Sequence, residues 1–149
     1  MRVFISSYRI FTLAIPIEYV SSIFTNAENS EYKIIYNHEN KNTYVSLPKL
    51  FNCPQAAVRH GIVLKNIGGN NDKMSVMDDS LENKTILLGA AVENESEINC
   101  ESIYPVPKTL NLMEFFFIFS GMTFNKSGDL VLLLDPNHLL NNIKKELLA

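Results

Sequence analysis

The sequence predicts a mainly β chain closed by a single C-terminal helix, and three observations carry that expectation. Most apolar residues fall in short β-type runs separated by clusters of Asn, Ser, Asp, Glu and Lys. One run, Thr85 to Val92 (TILLGAAV), is continuously apolar, as suits a strand buried on both faces. Only the stretch after Asp135-Pro136 combines a helix-start signal with a helical apolar stripe. The chain has 149 residues, which suits one domain or two small halves sharing a core. Surface scaling gives about 7,700 Å² folded against about 24,500 Å² unfolded, enough burial for a self-standing core. With 46% apolar and 19% charged residues, wholesale disorder is excluded.

Taken in order, Val3 to Tyr8 reads as a strand and Phe11 to Ile17 as its hairpin partner, turning through Tyr8, Arg9 and Ile10. Val20, Ile23 and Phe24 continue the apolar positions, and Thr25 to Glu31 is a polar loop. Tyr32 to Tyr36 alternates as a strand, Asn37 to Asn42 is a turn, and Thr43 to Leu47 is the returning strand. Pro48 to Phe51 is a short turn or helical piece. Gly61 to Lys65 is a compact strand, Asn66 to Lys73 a loop, Met74 to Met77 a short strand, and Asp78 to Asn83 a polar turn.

In the run TILLGAAV, Gly89 marks a place where another backbone comes close. Glu93 to Glu101 is acidic and solvated apart from Ile98, the pattern of a charged edge strand. Ile103 to Pro107 (IYPVP) must be extended and cannot be a central strand. Phe115 to Phe124 and Leu130 to Leu134 form the clearest hairpin, with Gly128 near the left-handed position of the turn. Asp135 caps a helix of about residues 136 to 148 that starts on Pro136, buries Leu139, Leu140, Ile143 and Leu147, and carries Lys144 and Lys145 near its end.

Composition excludes several functions. A net charge of −3 cannot neutralise a phosphate backbone, so no nucleic-acid partner is expected. Arg2 and Arg9 precede the apolar stretch Ile10 to Ile17, but Pro16 and the missing cleavage site argue against a signal peptide. The run Phe115 to Phe119 is too short to span a bilayer, so a cytoplasmic protein without membrane insertion is expected. Cys53 and Cys100 are too few for a disulfide framework and read as reduced thiols, with a single bridge as the alternative.

Catalytic apparatus is not legible either. His38, His60 and His138 are scattered and read as surface or turn histidines. Gly68-Gly69 lacks the Lys-Ser/Thr of a phosphate loop, and no G-x-S-x-G elbow is present. Glu93, Glu95, Glu97 and Glu101 lack the spacing of a calcium loop. Among Phe115, Phe116, Phe117 and Phe119, alternation assigns at least half to a core, and an outward ring would mark a partner surface. No catalytic residue, metal ligand or cofactor is expected, which by exclusion points to a binding or scaffolding module.

Four segments in order resemble the CheW-like domain, the coupling module of bacterial chemotaxis. They are LAIPIEYVSSI (Leu13 to Ile23), TYVSLPKLF (Thr43 to Phe51), LGAAVENESEI (Leu88 to Ile98), and Ile118 to Leu140 with Gly121, Gly128-Asp129 and LLLDPNHLL. The resemblance covers nearly the whole chain and implies one domain over residues 1 to 149. Its two small five-stranded β-barrel subdomains would share a hydrophobic core, with the helix at the C-terminus. It implies a non-enzymatic adaptor joining the cytoplasmic tip of a chemoreceptor to the regulatory domain of a CheA-type histidine kinase. Binding would use the groove between barrels and exposed strand edges.

The chain is a divergent member by this reading. Lys33, His38 and Glu39 stand where the family has a Gly and an Arg-Gly pair, so the turn must change shape at Glu39. Ser46 replaces an acid and Glu93 an Asp, whereas Val20, at a position linked to receptor coupling, is kept. The resemblance thus marks Val20, Ser22, Lys33, His38 and Glu39 as candidate partner-binding residues. The alternative is a module that keeps the fold and has lost the coupling contacts, serving another motility or regulatory partner.

Overall fold

The structure is a computed structural model, and it describes residues 1–8, 11–25, 32–53, 57–65, 84–107 and 118–148. Ten strands form two five-stranded sheets. The first has the order β8-β1-β2-β10-β9 and the second β3-β6-β7-β5-β4. The first contains β1 (Arg2–Ser7), β2 (Thr12–Pro16), β8 (Val92–Glu97), β9 (Phe119–Phe124) and β10 (Leu130–Leu134). The second contains β3 (Val20–Thr25), β4 (Ile34–Asn37), β5 (Asn42–Ser46), β6 (His60–Leu64) and β7 (Thr85–Gly89). The single-turn α1 (Leu47–Leu50) follows β5, and α2 (Pro136–Leu148) follows β10.

The expected hairpins are present. β1 pairs antiparallel with β2, β4 with β5, and β9 with β10. Each sheet also contains one parallel pair, β2 with β10 and β5 with β7. Parallel neighbours lie far apart in sequence and leave no turn signal, so local patterning does not reveal them. β7 is central, flanked by β5 and β6, and all five of its residues are buried. Its apolar run does not continue to Val92 as one strand. It ends at Gly89, and the chain crosses between the sheets at Ala90-Ala91. The acidic segment is an edge strand, β8, paired among the described residues only with β1 and exposed along Glu93 to Glu97.

The two expected five-stranded units sharing a core are present, but among the described residues the sheets are not closed into barrels. Among the described residues neither sheet hydrogen-bonds its two edges to one another. The first sheet comes nearest to closure. From β8 the chain passes through Ile98 and a 3-10 turn (Cys100–Ser102) to Tyr104, which exchanges two backbone hydrogen bonds of 2.8 Å with Met122 of β9. Pro105 and Pro107 have no N–H to extend that ladder, so the contact stays at one bridge. Ile98 and Ile103 on this strap pack against Val3, Ala14, Val131 and Leu133. Gly121 makes room, because a Cβ there would lie 2.4 Å from Cγ2 of Ile103.

The main core takes side chains from both sheets: Leu13, Ile15, Leu132 and Leu134 from the first, and Val45, Ile62, Leu64 and Leu87 from the second. Leu139 and Ile143 of α2 join it. Asp135 accepts hydrogen bonds from the N–H groups of Asn137 (3.0 Å) and His138 (3.3 Å), the expected N-cap. The side chain of Leu147 lies outside the described residues. Four rings, Tyr8, Phe11, Phe51 and Phe119, interlock with centroids 5.0–5.9 Å apart. β9 begins at Phe119, which is buried in this cluster. The expected strand residues Phe115, Phe116 and Phe117 lie outside the described residues. So do the turn residues Arg9 and Ile10 and the expected loop, strand and turn over residues 66–83.

The crossing between sheets is held by side chains. Ala90 donates its N–H to the Tyr8 hydroxyl at 3.1 Å, and Ser6 Oγ donates to the Ala90 carbonyl at 3.0 Å. Arg59 N–H donates to the Gly89 carbonyl at 2.8 Å, and Val92 N–H donates to His60 Nδ1 at 2.8 Å. His60 is therefore a half-buried strand residue and not a surface or turn histidine; His38 and His138 are exposed as expected. What approaches Gly89 is not backbone but the Tyr8 hydroxyl and the Leu47 side chain, at 2.4 Å and 3.0 Å from where a Cβ would stand.

Burial pushes the Tyr8 phenol up to about 12 from 10.0, only partly opposed by its hydrogen bonds to Ala90 and Ser6. The folded protein therefore favours the neutral phenol. Its contribution to stability is complete below pH 10, where the unfolded phenol is also neutral, and is lost as pH rises from 10 towards 12. Unfolding titrations at a series of pH values should show up to about 3 kcal/mol of alkaline loss that is absent in Tyr8→Phe. At pH 7 the same variant should be about 1–2 kcal/mol weaker, because the Ala90 N–H loses its acceptor. Gly121→Ala should cost about 1–3 kcal/mol, and much of that cost should disappear in the background Ile103→Ala, read by a double-mutant cycle.

Candidate functional site

The five candidate residues fall at two edges of the second sheet. Val20 opens β3 directly after the 3-10 turn Ile17–Tyr19 and donates its N–H to the Ile17 carbonyl. It is half-buried and packs on the main core. Ser22 is exposed and lies opposite Val63 of β6, just past a register shift between Val20 and Ser22. The other three residues flank β4, at the opposite end of the strand order. β6, β7 and β5 stand between the two groups, so the structure does not gather the five into one cluster.

The β4 group is organised by a turn. Lys33 precedes the strand, is half-buried, and its carbonyl accepts the Ser46 N–H at 2.9 Å. At the other end Asn37 Oδ1 accepts from the N–H groups of Glu39 (3.0 Å) and Asn40 (3.4 Å), an Asx-type turn. The His38 ring meets Tyr36 edge-on, with centroids 4.9 Å apart. His38 and Glu39 are exposed. The left-handed residue of this turn is Lys41 (φ 54°), not Glu39. A side chain in that region carries strain that glycine avoids.

Ser46 is a further departure with a structural consequence. It precedes α1 and is buried, yet among the described residues its hydroxyl has no hydrogen-bond partner, and it does not cap the helix. The position where the family pattern has an acid is thus an interior one in this chain.

Several features of the surface were not singled out from sequence. Tyr104 and Phe124, each more than half exposed, stand beside the β9 edge, with Met122 and Leu130 as their paired neighbours. Arg2 on β1 forms an ion pair with Glu95 of β8. Strand alternation puts Phe124 on the face of Met122, which packs against the main core, so its exposure was not readable from the sequence. Among the described residues, no three His, Cys, Asp or Glu side chains converge as metal ligands. No described helix is long and apolar enough to cross a membrane.

No family model matches the sequence, and no curated protein matches it either. Among solved structures, the chain is similar to the scaffolding protein TtCheW from Thermoanaerobacter tengcongensis. The TM-score is 0.62 and the identity 16%, over 89% of this chain and 82% of that one. The likeness shows that the fold is CheW-like: mainly β, two five-stranded sheets and a C-terminal helix.

Ser46→Ala should leave stability unchanged or raise it by up to about 1 kcal/mol, since it removes a buried hydroxyl that bonds nothing among the described residues. Ser46→Asp should destabilise by several kcal/mol through burial of an unpaired carboxylate. Thermal unfolding of the two variants side by side reads both effects.

Proposed function

We propose that this chain is a non-enzymatic adaptor of the chemotaxis-coupling type. It would join the cytoplasmic tip of a chemoreceptor to the regulatory domain of a CheA-type histidine kinase. The observation that supports this reading most is the likeness of its two-sheet architecture to a scaffolding protein over most of both chains. The physics is compatible: a rigid β frame with open strand edges offers preformed docking sites at low entropic cost.

A second reading is favoured by the turn between β4 and β5. Its left-handed residue is Lys41, and neither Arg nor Gly stands at residues 38 and 39. A turn so built suits a module that keeps the frame and serves a different motility or regulatory partner.

Titration calorimetry with the kinase regulatory domain and with a receptor-tip fragment separates the two. Coupling predicts binding to both with dissociation constants on the order of tens of micromolar. Ser22→Lys should weaken at least one of these about tenfold while leaving the unfolding midpoint in place, because Ser22 is exposed. Val20 is a poorer probe, because a charge there would also disturb the core it packs on. Absence of binding to either partner at about 100 µM removes the coupling reading in favour of the second.

A further inference from the structure

One border of the first sheet is finished by a segment outside its ladders. β9 ends the order β8-β1-β2-β10-β9, and the strap of residues 98–107 lies along its outer edge. Covering a strand edge with a loop guards it against pairing with other strands. This cover is attached differently from everything beneath it.

Two backbone clips hold it. At its start the Ile98 N–H donates to the Met1 carbonyl at 2.8 Å, and the Met1 nitrogen donates to the Ile98 carbonyl at 3.0 Å. Towards its far end stands the Tyr104–Met122 bridge, which Pro105 and Pro107 keep from growing. Between the clips the hydrogen bonds are local: the N–H groups of Glu101 and Ser102 donate to the side chain (3.0 Å) and carbonyl (2.9 Å) of Asn99. The apolar anchors are Ile98 and Ile103 on the first sheet's second core and Val106 on the main core, each only half-buried. None of the strand pairings in either sheet runs through the strap.

We infer that residues 98–107 form a lid on the β9 edge that opens as one unit while both sheets stay folded. Opening breaks the clips and lifts three half-buried side chains, whereas the turn around Asn99 survives it. The conformational freedom that the strap regains offsets much of what is lost. What opening uncovers is specific. Met122 gives up the partner of its N–H and its carbonyl, and Ile103 leaves its seat over Gly121, where a Cβ would overlap it. The lid thereby decides whether β9 presents an unpaired edge. This follows from the contacts of the strap and does not rest on the adaptor reading, which the calorimetry above tests separately.

Native-state hydrogen exchange of the full chain in rising, sub-denaturing guanidinium tests it. The amides of Tyr104 and Met122 should exchange at least about tenfold faster than those of β10, with a weaker denaturant dependence, because their opening exposes less surface. Ile103→Ala should speed these two amides by at least about tenfold more, by removing an anchor of the closed lid. Ile62→Val, in the main core, should weaken β10 protection about threefold to tenfold and leave Tyr104 and Met122 unmoved, because the open and closed lid share that core. Slow exchange in β10 establishes that each variant is folded. Tyr104 and Met122 amides that exchange only together with β10, at the same denaturant slope, overturn the inference. So does an equal response of the lid and β10 amides to Ile62→Val, or an Ile103→Ala variant that leaves the lid amides unchanged.

Discussion

The chain leaves one sheet and enters the other between Gly89 and Val92, and that passage constrains much of the rest. Backbone groups there are partly buried and sit at or beyond the ends of the two ladders, so each needs a partner or costs desolvation energy. The Gly89 carbonyl takes the Arg59 N–H, Ala90 is held at both ends by Tyr8 and Ser6, and Val92 donates to His60. These partners come from the β1–β2 hairpin region and from the start of β6. Satisfying Gly89, Ala90 and Val92 around this connection therefore draws both sheets to one point. The position of the Tyr8 hydroxyl explains why residue 89 is glycine. Beneath it the four interlocked rings extend the same junction into the core, from the end of β1 to α1 and β9.

Local features of the fold were legible where local physics decides them. The 115–134 hairpin region was readable from its turn, although β9 starts only at Phe119; Gly128 takes φ 85° as that turn requires. The C-terminal helix was readable from Asp135 and Pro136, and the β8 edge from its carboxylates. What was not legible depends on residues distant in sequence. The two parallel pairs leave no turn to read. The role of His60 appears only once Val92 is placed beside it, and the strand break after Gly89 only once Tyr8 is. Ile98 and Ile103 look like isolated apolar residues in a polar stretch until the strap closes over the first sheet's second core.

The candidate site was legible in part and for a definable reason. Positions carried over from a family pattern are positions along a chain, and they do not say which share a face. Val20 and Ser22 stand on one border of the second sheet, and Lys33, His38 and Glu39 flank its other border. A frame with separated borders can hold more than one partner at once without those partners competing. At 16% identity to the scaffold it resembles, the frame is retained while most side chains differ. Fold and surface chemistry have separated in this chain.

The order in which the strands enter the two sheets carries one last implication. β3 to β7 make up the whole second sheet, whereas the first is assembled from β1 and β2 together with β8, β9 and β10. During synthesis the second sheet can complete itself early, from consecutive chain. The β1–β2 hairpin cannot: Thr12 must wait for Val131, and Val3 for Ser96. Until then the apolar flank of Leu13 and Ile15 has no β10 to cover it, a long-range closure that slows folding and leaves a nascent surface open to chaperones or to misassembly.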